Sequence, residues 1–136
     1  MDPALASALA RATLYIHFLV VVFNIAALVL IPAGRLLDWR FVRIFWWRAL
    51  HVGSMLLVAV QAGLGQHCFL TLMQAAFESA AGGSTGGFWL DAIVTRAVFW
   101  PLPLETFVVL YLLALGLTVF FWFWVRPQSP FASRSP

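Results

Sequence analysis

Residues 12–34 read ATLYIHFLVVVFNIAALVLIPAG. No charge interrupts Ala12 to Ile31, and about 20 apolar residues in one helix cross the hydrocarbon core of a bilayer. Upstream, Asp2 stands before Pro3. A carboxylate can cap free N–H groups, and proline fits the first helical position. Downstream, Pro32 and Gly34 are expected to stop the helix. From Pro3 to Ile31 there are 29 residues, about 43 Å of helix. That exceeds the roughly 30 Å hydrocarbon layer, so the first two turns should project outward or the helix should tilt.

The rest of the chain has the same character. Of 136 residues, 63% are hydrophobic and 10% charged. A soluble domain is nearer half apolar and a quarter charged. Lipid is therefore the expected solvent for most of the surface. All eight basic residues are arginine, and a net charge of +3 is too small and scattered for a nucleic-acid groove. Cys68, the single cysteine, has no partner for an internal disulfide. The amino end does not read as a signal peptide, because it opens on Asp2 and its apolar run is too long.

Two further spans are expected. The connector RLLDWRFVRIFWWR carries Arg35, Arg40, Arg43 and Arg48 against Asp38 alone. A second span follows over about 45–65, and a third over about 103–125, whose FFWFW end suits an aromatic interface belt. Between them, residues 88–100 carry Asp91 and Arg96, too costly and too short for a span. They read as an interfacial or re-entrant helix, joined by AGGSTGG to an amphipathic helix over about 70–81.

The fold class is thus an all-α integral membrane domain covering 1–136. It has spans at about 10–31, 45–65 and 103–125, an outer loop at 66–102 and a tail at 126–136. Four arginines lie in the first connector, one in the 66–102 loop and two in the tail. The positive-inside rule then predicts a cytoplasmic connector and tail, with the amino terminus outside.

Histidines on two spans raise the question of a haem held between them. His17 should lie near the outer end of its span and His51 near the inner end of its own, levels differing by something like 10–15 Å. Two ligands of one iron sit about 4 Å apart, which argues against a shared haem. His67 caps the outer end of the second span at the level of His17, with Cys68, Glu105 and Asp91 at a similar height. These five residues form a candidate outward-facing polar cluster, and His17 and His67 are the candidate contacts for a haem or quinone. The spacing has no metal signature, and adjacent His67 and Cys68 would diverge by about 100° on a helix. In the structural alternative, His17 and Asn24 share a face and turn inward to bond neighbouring helices. His51 sits near Arg48 and Ser54 at the inner headgroup level, and Ala59 with Gly63 forms a small-residue packing surface. No nucleophile–base pair, phosphate loop or paired carboxylates appear, so no catalytic or metal residue is assigned.

The landmarks run in a characteristic order. A histidine lies early in the first helix, in LYIHFLVVVFN, and a second opens the next helix, in LHVGSMLLVAV. CFLTLMQ follows, then a glycine-rich turn with GGF, then FWPLP before the last helix. In this the chain resembles a small bacterial inner-membrane family of unknown function, over about residues 12–125. The matched positions are His17, His51, Cys68, Leu70, Thr71, Gly86, Gly87 and Phe88. The family's Cys-Pro-Leu-Thr-Pro-Leu-Glu motif has Phe69 and Leu72 in place of its prolines here, and Gln74 in place of its acid. Asp91 stands close to where a histidine often follows GGF. The resemblance implies a fold and a bacterial inner-membrane location, not an activity. The expectation is a non-catalytic subunit packed against other integral subunits, of the respiratory or photosynthetic kind. The alternatives are a haem- or quinone-binding anchor for electron transfer, and a small enzyme or transporter using the outer cluster.

Overall fold

A computed structural model describes residues 1–83, 89–98 and 101–128. All regular elements there are helical: α1 (Pro3–Leu36), a 3-10 helix (Arg40–Arg43), α2 (Phe45–Gly63), α3 (Phe69–Ala80), α4 (Trp89–Val98) and α5 (Leu104–Trp124). Gly86, Gly87 and Phe88 lie outside the described residues.

α1 starts as its sequence dictates. The Asp2 carboxylate accepts from the Ala4 N–H at 3.0 Å, and Pro3 occupies the first turn. Its end departs from expectation. The helix runs through Pro32 and Gly34 to Leu36. Pro32 removes one intrahelical donor, a loss that helices packed in bundles tolerate. The stop comes at Asp38, which takes a left-handed φ of 53°, while the Trp39 N–H reaches back to the Gly34 carbonyl at 2.8 Å. α2 and α3 end in the same motif, with Gly65 and Gly82 in the left-handed position.

α1 and α5 are long and apolar enough to cross a membrane. α2 is not, although three such helices were expected. Arg48, His51, Ser54 and Gln61 dilute its apolar content.

The 34 residues of α1 serve two partnerships. Its buried residues form one stripe at helical spacing: Ala6, Ala10 and Leu14, then Asn24, Ala27 and Ile31. α3 lies against α1, with Leu70 and Gln74 buried, and α4 also packs on α1. At its first residue α3 also reaches α2. At the other end, Ala27 and Ile31 of α1, Val42 of the 3-10 helix and Val125 after α5 make the buried core, flanked by Trp47 and Phe121. Gly34 lets the connector in: a Cβ there would overlap the Val42 side chain. The ends of α1 and α5 thus meet the start of α2, so α1 and α5 run the same way and α2 runs against both.

Candidate functional site

The polar side chains of the bundle interior lie where α1, α2 and α5 meet. Arg48, in the first turn of α2, is 1% exposed. Its Nη1 donates to the Val125 carbonyl at 2.9 Å and its Nη2 to the Phe121 carbonyl at 2.8 Å. The Phe121 carbonyl lies in the last turn of α5 and also accepts from the Val125 N–H, whereas the Val125 carbonyl lies just past the helix end. A cation at a helix C-terminus also meets the negative end of the dipole. The planar fork of a guanidinium suits two carbonyls one turn apart, which a lysine could not span. The guanidinium lies 5.6 Å from the centre of the Trp122 ring.

One turn further along α2, His51 is fully buried. Its ring meets Phe23 edge-on at 6.0 Å. One side of the ring is drawn toward the Asn24 main chain, yet neither nitrogen closes a hydrogen bond of good geometry. Ser54 follows, and its hydroxyl donates to the Asn24 Oδ1 at 2.7 Å and approaches the His51 carbonyl at 3.0 Å. The Asn24 amide is in turn returned to its own helix, donating to the Val20 carbonyl at 2.9 Å. Thr13 and Thr118, both buried, do the same toward Leu9 and Ala114. Apart from the His51 nitrogens, these groups bond to a neighbouring helix or to their own backbone.

His51 therefore sits beside Phe23 of α1 in the interior. His17 is buried seven residues before Asn24 on α1, about 10 Å along the axis. That offset does not suit two ligands of one iron.

The residues of the expected outer cluster differ in burial. His67 and Glu105 are exposed, Cys68 is half-buried and His17 is buried. The Asp91 side chain lies outside the described residues. Among the described residues no three His, Cys, Asp or Glu groups approach closely enough to hold a metal ion. Cys68 is the residue before α3 and lies within electrostatic reach of Tyr111 on α5. The first N–H of α3, that of Phe69, is capped by Gln61 of α2 at 3.0 Å. Gln74 is buried and donates to Glu78 at 2.9 Å. Of the expected packing pair, Ala59 is buried, but Gly63 faces open space. The face that packs is His51, Met55, Ala59 and Ala62.

Sequence reading missed Arg48 as a buried contact, because nothing in a basic connector distinguishes one arginine from four. The Asn24–Ser54 bond was also missed, since its partners are 30 residues apart.

The match to known proteins covers this whole arrangement. Residues 7–127 match the family described as protein of unknown function, DUF2784. The chain belongs to that family. No curated protein and no solved structure matches it. For this DUF2784 member, the matched region takes in α1 from its second turn, the inter-helix seam and all of α5.

Proposed function

We propose that this DUF2784 member is a three-span integral protein of the bacterial inner membrane and acts as a non-catalytic subunit packed against other membrane proteins. The reading rests on one observation above all. Arg48 ties α2 to α5 and Ser54 ties it to Asn24 of α1, while the outer surface of α5 is apolar and almost uncovered. Leu113 is 63% and Phe123 72% exposed, and Phe120 stacks on Trp124 on the same open side. Broad aromatic surface of this kind gives rigid contact area to a neighbouring subunit.

Helix direction supports three crossings. α1 and α5 end together, so both cross the same way, and α2 has to carry the chain back. Its 19 residues make about 28 Å of helix, close to the hydrocarbon thickness. Its least favourable residue for lipid, Arg48, is already hidden behind the α5 carbonyls. The arginine distribution then puts the amino terminus outside and the carboxyl terminus in the cytoplasm. α3 and α4 would lie at the outer surface, supporting the projecting turns of α1. Native purification in a mild detergent tests the subunit role: defined partners should co-purify. A chain that runs alone under every gentle condition ends this reading.

A further inference from the structure

At the end of the bundle where α1 and α5 finish, an open cleft of ≈ 250 Å³ is lined by Arg35, Arg43 and Arg126, with Phe123, Trp124 and Val125 completing its wall. The three arginines come from three places in the chain: the last turn of α1, the 3-10 helix and the residue after Val125. Main-chain ties bring them together. The Gln128 N–H donates to the Arg43 carbonyl at 2.8 Å, and Arg48 holds the Val125 carbonyl. These ties hold the 3-10 helix, the start of α2 and the segment after α5 together at the cleft.

Its charge is poorly neutralised. Asp38 approaches Arg43 at 3.7 Å, with both side chains well exposed, an arrangement that contributes little. Arg35 and Arg126 make no ion pair among the described residues. Three guanidinium groups around one cleft repel one another until an anion enters, and their planar forks match phosphate oxygens. The apolar side of the cleft says which phosphate. Phe123 and Trp124 are 72% and 44% exposed and continue into the open flank of α5. A free phosphate ion has no use for that wall, whereas an acyl chain does.

We infer that this cleft seats the phosphodiester headgroup of an anionic glycerophospholipid, with the acyl chains lying along Phe123 and the outer face of α5. The site rests on the membrane reading above and places the cleft at the cytoplasmic leaflet, where basic pockets between helices meet anionic headgroups.

The test uses the full chain. Resistance to alkaline carbonate extraction first establishes membrane integration; extraction there sinks the membrane reading itself. The protein is then placed in nanodiscs of phosphatidylcholine with and without phosphatidylglycerol, and retained lipid is measured by native mass spectrometry. Phosphatidylglycerol should be retained in preference to phosphatidylcholine. Arg35→Gln and Arg126→Gln, both at exposed positions, should each weaken retention about fivefold. Arg40→Gln, on the same connector but outside the cleft, should leave it unchanged. Equal losses in all three variants, or no preference for the anionic lipid, overturn the site. Inorganic phosphate that protects the detergent-solubilised protein from thermal unfolding as well as the lipid does would make it a free-anion site and also overturn the proposal.

Discussion

The guanidinium of Arg48 lies 2.9 Å from the carbonyl oxygen of Val125, across 77 positions of sequence. This contact joins the start of α2 to the end of α5 and fixes their opposite directions. It also converts the most polar residue of α2 into an internal cap.

Removing that cap should be costly. Arg48→Met removes the guanidinium donor from the Val125 carbonyl and leaves the Phe121 carbonyl with the Val125 N–H alone, and hydrogen bonds to charged groups contribute about 1.5–3 kcal/mol each. We expect a loss of about 3 kcal/mol in unfolding free energy in detergent. Arg48→Lys should recover only part of it, because one ammonium cannot serve both carbonyls. A methionine variant as stable as the parent would show that the contact is incidental.

Glycine positions should divide by their surroundings. Gly34→Ala drives a methyl group into Val42, which is fully buried and stiff at χ1. Overpacking of this kind costs about 1–3 kcal/mol. Gly53→Ala and Gly116→Ala meet open space inside helices and should stabilise by about 0.5–1 kcal/mol. Thermal midpoints of the three variants moving together would contradict the packing described here.

The Ser54–Asn24 bond should be modest and measurable. A double-mutant cycle with Ser54→Ala and Asn24→Ala is expected to give a coupling of about 0.6 kcal/mol, and no more than about 1.7, the range for hydrogen bonds between membrane helices. A coupling indistinguishable from zero would mean the two side chains act separately.

His51→Leu should be tolerated. The imidazole is fully buried with both nitrogens outside hydrogen-bond geometry, so an apolar side chain of similar size removes a polar burial cost of about 1–3 kcal/mol. Stability should hold or rise, and the purified protein should show no Soret band before or after the change. A sharp loss of stability would reveal a ligand on His51, and a Soret band would restore the haem reading.

Local chemistry was legible in the residues themselves. Asp2 and Pro3 announced the start of α1, and the apolar run from Ala12 announced its course. Gly65 and Gly82 marked helix ends because glycine enters the left-handed region without a Cβ penalty. Asp38 takes the same conformation at the end of α1 without that signature, so Pro32 and Gly34 looked like the stop. Gly34 instead makes room for Val42, a role that depends on a residue the chain brings back only after its turn. Within this chain Ala59 packs and Gly63 does not, for a related reason. Small residues permit close approach, but they do not say which side the neighbour takes.

Composition and hydropathy alone determined that the chain is helical, that α1 and α5 are long and apolar enough for a bilayer, and that basic residues crowd one connector. Those properties depend on neighbours within a few turns. Which arginine is buried, which histidine is enclosed and which helix faces are left open were decided by tertiary structure. Each depends on helix ends meeting from distant parts of the chain, and periodicity along one helix carries no information about what stands opposite it.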